Sequence, residues 1–330
     1  MERKKNIALV TGGLSGESVI SYKSAATIDK HLDRQQYNVF IIDITAEGWF
    51  YTDTQGNKTR VNKDDFSVWE SDQKVLFDAV LLGLHGTPGE DGKLQGYFDM
   101  LQIPYTGCDA TTSAITFNKR YTVAVAKMAG IDVATSLHLF AHTPVAAAAV
   151  LEQLKLPVFV KPNNGGSSIG MSKVAIAEEL EAAIAKAFKE DTQVLVEEMI
   201  TGREFTVGVY QSKGVITVLP LTEVKAHADK AFFDFEAKYE GKSSEITPAV
   251  VEEAIAEKVR AAAKKVYQVF NCRGVIRIDF IYNEAIGRPF MLEVNTIPGQ
   301  SAASIVPQQV AAAGGNLTDF YSLLVDECFA

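Results

Sequence analysis

Two stretches near the end of the chain, VIRIDFIY (residues 275–282) and FMLEVN (residues 290–295), govern how the rest is read. Side chains alternate faces along a strand, so Arg277 and Asp279 share one face while Ile276, Ile278 and Phe280 take the other. Glu293 and Asn295 are spaced in the same way, with Leu292 and Val294 behind them. A turn around residues 283–288 joins the two stretches as a hairpin. Paired with polar faces together, Asp279, Glu293 and Asn295 converge, with Arg277 beside them. Two carboxylates and an amide oxygen are hard ligands, suited to Mg²⁺ bridging substrate phosphates. Alternation by itself is better explained by a solvated sheet face carrying cross-strand charge pairs. Two features weigh against that explanation. Asp and Asn are poor strand formers, and the second strand runs into Ile297-Pro298-Gly299, where backbone amides stand next to the polar cluster.

Upstream, KPNNGGSSIG (residues 161–170) follows an apolar strand at 157–161 and leads into another. Its glycines permit close approach and positive φ, so its amides can close over phosphates. The plainer reading, a tight hairpin, rarely needs so long a loop or a lysine at the strand end. No GxxxxGK[ST] pattern occurs, so an ATP site here requires a different architecture. VTGGLSGES (residues 10–18) is half of a dinucleotide fingerprint, and Asp43 ends the next strand where a ribose ligand would sit. That leaves an NAD-dependent oxidoreductase open. Thr11 at the first glycine position counts against it, as does Glu17, which would repel a pyrophosphate at the helix start. Glu17 suits an ammonium ligand, or simply caps the helix dipole. LHGTPGEDGKLQG (residues 84–96) lies past a strand end, the edge where open parallel sheets bind ligands. His85 is there either a substrate contact or a structural histidine, and Glu90-Asp91-Gly92 reads as a turn.

Around these motifs the first third alternates strand and helix. Strands at 6–11, 37–44 and 78–85, with a helix at 17–31, predict an α/β layer with a parallel sheet. Helices at 119–129 and 144–154 follow, then the strand at 157–161, a helix at 178–189 and a strand at 194–199. The last third holds strands at 204–210 and 215–219, then a polar segment at 223–245 without periodicity, of the kind that forms lids. Ile255, Val259, Ala262, Val266 and Phe270 mark an amphipathic helix, its start signalled by Thr247-Pro248. The 330 residues are 47% hydrophobic and 22% charged, which excludes disorder, and no apolar run is long enough to span a bilayer. A net charge of −9 argues against a nucleic-acid surface. Three scattered cysteines suggest neither disulfides nor a zinc site, which points to the cytoplasm.

HGTPGEDGKLQG, KPNNGGSSIG, FEAKY (residues 235–239), RIDF and LEVNTIPG occur in one order and spacing. In that combination the chain resembles, over essentially its whole length, the D-alanine–D-alanine ligases of the ATP-grasp superfamily. The resemblance implies an α/β protein (α+β overall) with an ATP-grasp fold and an N-terminal Rossmann-like open parallel sheet. It implies domains at 1–107, 108–200 and 201–330, the last carrying the lid and the metal site. The implied reaction converts ATP and two D-alanines into ADP, phosphate and D-alanyl-D-alanine through a D-alanyl phosphate. Its place would be the cytoplasm, in peptidoglycan precursor synthesis and hence in cell-wall biogenesis and cell shape. The implied cofactors are ATP and two Mg²⁺ ions, with Mn²⁺ as a substitute. The implied partners are D-alanine and a second copy of the chain as a homodimer, with no nucleic acid and no membrane.

Site roles follow from the same resemblance. Glu17 would hold the ammonium of the first D-alanine, linked through Ser167 and Tyr239, with His85 close by. Lys119 and Lys161 would contact ATP phosphates together with Gly166 and Ser168 of the loop, and Lys238 the transferring phosphate. Glu197 matches the adenine edge and Glu204 the ribose. Asp279, Glu293 and Asn295 would hold the metal ions. Arg277 and the Gly299 amide would stabilise the oxyanion, and Ser304 with the Ile305 amide would take the second carboxylate. The chain departs from the family pattern at Ser18, where many relatives have arginine, and at Gln300 to Ala303, in place of Met-Thr-Ser-His. Tyr239 favours D-alanine as substrate. The alternatives are another ATP-grasp carboxylate–amine ligase for a different D-amino or hydroxy acid, the oxidoreductase, and a nucleotide-binding relic without activity.

Overall fold

The computed structural model describes residues 3–143, 145–166, 168–226 and 243–330. The strand Lys5–Gly12 lies parallel between Tyr37–Thr45 and Ala79–Leu82. Its Ile7, Ala8, Leu9 and Val10 are wholly buried, as befits a strand covered on both faces. Two antiparallel strands absent from the sequence reading, Gly48–Thr52 and Lys58–Arg60, extend the outer edge. The third parallel strand stops at Leu82, before His85, although the Gly83 amide still donates to the Val10 carbonyl at 2.9 Å. Strand order reverses at Lys5–Gly12, so the carboxyl ends of that strand and of Ala79–Leu82 flank a crevice. The helix Ser18–His31 starts there and buries Ser21, Ser24, Ala25 and Ile28, one face of a helical repeat.

A second sheet is antiparallel throughout, in the order Ser172–Val174, Val158–Pro162, Gln193–Glu198, Ser136–Phe140. Its valines pack against the helix Leu180–Ala187. The third sheet runs Ser243–Ile246, Thr222–Ala226, Arg203–Ser212, Val275–Asn283, Arg288–Asn295, with Val215–Val218 beside Arg203–Ser212. The helix Glu253–Val269 covers it with Ala256, Val259, Ala263, Val266 and Tyr267. Cys108, Ala126 and Ile131 belong to that same core, so the segment after Gly107 packs under the third sheet. It carries the helices Ala110–Phe117 and Lys119–Met128, capped by the Asp109 and Asn118 side chains.

Three expectations are corrected. The amphipathic helix begins at Glu253, not at Thr247-Pro248. Thr247 instead shares a 2.6 Å hydroxyl contact with Thr222, and the Ala249 amide donates to the Leu221 carbonyl at 2.7 Å, so the sheet holds this segment extended. The polar segment at 223–245 contributes paired strands at both ends, Thr222–Ala226 and Ser243–Ile246. The helix expected at 144–154 is confined to Ala147–Leu151.

The last two helices tie the third sheet to the first. Phe320, Tyr321, Leu324 and Val325 of Leu317–Asp326 share a core with Ile7, Leu9, Ile28 and Leu81. Each such buried side chain contributes about 1.5–3 kcal/mol. The Tyr37 hydroxyl donates to Asp326 at 2.9 Å, and the Lys5 ammonium stands 3.4 Å from the Phe329 ring centroid. Cys108, Cys272 and Cys328 are free thiols. Among the described residues no helix is long and apolar enough to cross a membrane.

Candidate active site

The crevice of the first sheet, the glycine loop of the second and the polar face of the third enclose one cleft with about 1620 Å³ of open space. The hairpin pairs as its alternation predicts, with Asp279 opposite Glu293 and Arg277 opposite Asn295. Arg277 donates from Nε and Nη2 to the two Asp279 oxygens, each at 2.9 Å. The Thr206 hydroxyl donates to Asp279 Oδ1 in a short hydrogen bond, and Asn295 Nδ2 donates to Oδ2 at 3.4 Å. Asp279 is only 8% exposed, with Ile278 and Phe280 fully buried behind it, which rules out a solvated sheet face. Ladder register shifts between Asp279 and Phe280, so the pairing kinks beside the carboxylate. Among the described residues no three His, Cys, Asp or Glu side chains form a self-sufficient metal cage. Two carboxylates and an amide on one face, opening into a cleft, fit a hard divalent ion that takes its remaining oxygens from phosphate and water.

Glu245, on the edge strand Ser243–Ile246, lines the same cleft. Burial raises its pKa; Arg277 opposes that shift and Asp279 adds to it. Its setting in an aperiodic polar stretch gave no sequence signal.

The glycine loop is fastened to the start of the helix Lys119–Met128. Lys119 Nζ donates to the Gly165 carbonyl at 2.7 Å, and the Arg120 amide donates to Asn163 Oδ1 at 2.8 Å. Asn164 donates from its amide and its side chain to Asp191, both at 2.8 Å. Gly166 lies against Glu17: a Cβ there would stand 2.6 Å from Glu17 Oε1. From the other side, a Cβ on Gly86 would stand 2.6 Å from Glu17 Oε2. The Glu17 carboxylate is thus flanked by two glycines at the head of the crevice, at the N-cap of the first helix. No pyrophosphate could share that position, which removes the dinucleotide reading.

Glu204 also lines the cleft. Lys161 and Glu197 do not; they form an ion pair on adjacent strands of the second sheet. Ser168 lies outside the cleft lining, at a positive φ of 58° in the glycine loop. Ser167, Lys238 and Tyr239, with the rest of FEAKY, lie outside the described residues.

His85 is buried in the crevice, and that burial pushes its pKa down to about 4, so the ring is neutral. Glu90, read from sequence as part of a turn, turns inward instead. Its oxygens accept from the Gly86 amide at 2.7 Å and the Ile297 amide at 3.4 Å. Burial, then the nearby Glu17, pushes its pKa up to about 8. The one available signal was a carboxylate in the loop past a parallel strand's carboxyl end.

The strand Arg288–Asn295 runs on into a turn at 297–300. Gly299 packs on Ser304, where a Cβ would meet Oγ at 2.9 Å. Ser304 precedes the helix Ile305–Ala312, and its hydroxyl lies 2.8 Å from that of Ser301. Ile305 and Val306, at the start of that helix, line the cleft, and a helix start favours a carboxylate.

Two antiparallel sheets closing on a cleft with a glycine loop and a face of hard oxygen donors define an ATP-grasp ligase. More narrowly, the chain belongs to the D-alanine–D-alanine ligase family. Residues 6–108 match the family model described as D-ala D-ala ligase N-terminus, and residues 119–326 the one described as D-ala D-ala ligase C-terminus. The D-alanine–D-alanine ligase of Flavobacterium johnsoniae is 44% identical over 322 residues, covering 98% of each chain. The crystal structure of VanG D-Ala:D-Ser ligase from Enterococcus faecalis superposes with a TM-score of 0.89 at 31% identity, covering 99% of this chain and 100% of that one. The D-alanine–D-alanine ligase from Bacillus anthracis complexed with ATP gives 0.79 at 26% identity, covering 98% and 97%.

Proposed function

We propose that the cleft binds the first D-alanine beside Glu17, the second at the Ser304–Ile305 helix start, and ATP phosphates between the glycine loop and the polar hairpin. The chain is an ADP-forming, ATP-dependent ligase that makes D-alanyl-D-alanine for peptidoglycan synthesis. One observation carries the residue assignment: Glu17, Arg277, Asp279, Glu293, Asn295, Gly299 and Ser304 all face one cleft although they come from two ends of the chain.

The first step transfers the γ-phosphoryl group to the carboxylate of the first D-alanine, the bond to ADP breaking as the acyl phosphate forms. Glu17 pairs with the substrate ammonium, while Ser167 and Tyr239 complete that site. Lys119, Lys161 and Lys238, with Gly166 and Ser168, hold the phosphates; Glu197 and Glu204 hold the adenosine. Asp279, Glu293 and Asn295 would hold two divalent ions, Mg²⁺ or Mn²⁺, which neutralise phosphate charge when bound. Positioning and charge neutralisation are what phosphoryl transfer needs most. In the second step the amine lone pair of the second D-alanine attacks the acyl carbon, the acyl C–O bond breaks, and phosphate leaves with the amine's proton. Arg277 and the Gly299 amide face the developing oxyanion, a contribution of about 3–4 kcal/mol per well-placed donor. His85 lies at the first substrate, and Ser304 with the Ile305 amide receives the second carboxylate.

The reading extends to three domains, at 1–107, 108–200 and 201–330, and to a cytoplasmic homodimer acting on free D-alanine without nucleic acid or membrane. The test is phosphate release from MgATP with D-alanine, L-alanine or D-lactate supplied separately. Release and dipeptide formation are expected with D-alanine; release independent of D-alanine overturns the reading.

A further inference from the structure

The helix Ser18–His31 buries two serines three residues apart, Ser21 and Ser24, both without exposed surface. Both hold His85. The His85 amide donates to Ser21 Oγ at 2.9 Å, and His85 Nε2 lies 2.9 Å from Ser24 Oγ. The ring is neutral, and its Nε2 shares one hydrogen with the Ser24 hydroxyl. The Ser24 oxygen in turn accepts the Gln300 amide at 3.0 Å.

The consequence lies in the turn at 297–300. Its Ile297 amide goes to Glu90, its Pro298 carbonyl to the Gln300 side chain at 3.2 Å, and its Gln300 amide to Ser24. The Gln300 side chain is itself held by the Tyr321 hydroxyl at 3.2 Å. Pro298 has no N–H. Among the described residues, the Gly299 amide is the one N–H of this turn with no hydrogen-bond partner, and Gly299 lines the cleft.

We infer that Ser24, and His85 acting through it, are positioning residues that fix this turn so that the Gly299 amide points at the reacting carbon. The first helix, N-capped by Glu17, and the oxyanion donor are thereby set by one relay, His85–Ser24–turn. Gln300, where the chain departs from the family pattern, is the buried latch of that relay and not a substrate contact. The inference rests on Gly299 being the oxyanion donor.

The experiment is Ser24→Ala, with Ser24→Cys as the volume-matched partner whose sulfur is a poor acceptor. The measurements are the two D-alanine KM values, kcat, and phosphate released per dipeptide formed. A kcat lower by about 10–100-fold is expected, short of the roughly 100–1000-fold that outright loss of one donor costs, with the first-site KM within about twofold. Phosphate per dipeptide should exceed one, because an acyl phosphate that waits longer for the amine is lost to water. Thermal midpoint and MgADP affinity verify the fold. Unchanged kinetics, or a first-site KM raised tenfold at unchanged kcat, overturns the inference. Gly299→Pro separates the two levels. If it retains full kcat, the oxyanion reading fails; if it loses kcat while Ser24→Ala and Ser24→Cys do not, only the relay fails.

Discussion

Arg277 and Asp279, two residues apart on one strand, are locked together by two parallel 2.9 Å hydrogen bonds. The proposed oxyanion cation and the proposed metal carboxylate therefore share the same oxygens. A divalent ion held at Asp279 would compete with that fork for the same oxygens. Arg277→Ala should lower kcat by about 100-fold or more while tightening Mn²⁺ binding in the absence of nucleotide. Weaker Mn²⁺ binding by calorimetry would show that the two do not compete.

Glu293 stands opposite Asp279 across the hairpin and faces the cleft. Glu293→Ala should reduce turnover by at least about 100-fold, with a thermal midpoint near that of the parent, because the residue contributes no core packing. Near-normal turnover at saturating Mg²⁺ would refute the metal role.

The glycines flanking Glu17 predict a selective lesion. Gly166→Ala places a methyl group on the carboxylate that the first D-alanine is proposed to meet. Its first-site KM should rise about tenfold, the cost of one displaced charged hydrogen bond, with a small change in KM for ATP. Gly86→Ala should do the same and also lose stability, since Gly86 sits at φ +68°, where a side chain costs about 1–2 kcal/mol. Steady-state kinetics and urea unfolding separate the two effects.

Glu90 sets a pH dependence. In the folded protein it keeps its proton up to about 8, against 4.5 in an unfolded chain. Between those values the folded state binds the extra proton, so stability falls as pH rises. His85 acts in the opposite sense: neutral down to about 4 instead of 6.5, it makes stability rise with pH between 4 and 6.5. The two slopes oppose each other below pH 6.5, and above it the Glu90 slope stands alone. Glu90→Gln should abolish the loss of stability between pH 6.5 and 8, read as urea midpoints at the two pH values. A variant that loses stability in parallel with the parent would contradict the assignment.

Strand alternation in a short hairpin is a local property, so Asp279, Glu293 and Asn295 were legible as a converging set before any fold was known. Glu17 was legible as a carboxylate at a helix start, and the glycine loop as a phosphate-sized gap. Thr247-Pro248 shows the limit of such signals. Its residues carry a helix-start pattern, but bonds to Thr222 and Leu221 across the sheet outweigh it. Glu90 and Glu245 escaped notice because a single carboxylate in a loop or at a sheet edge has no periodicity to mark it.

Local sequence carried the apolar parallel strand set, the glycine loop and the hairpin with one face of oxygen donors, each with its chemistry. Periodicity, glycine and proline act over a few residues, and a few residues are enough to read them. Which of those groups meet was settled by packing. It put Gly166 and Gly86 on either side of Glu17, turned Glu90 inward, and made Gln300 a latch to Ser24 across 276 positions of chain. Those pairings depend on how three sheets pack around one cleft, and contacts that distant leave no trace in local spacing.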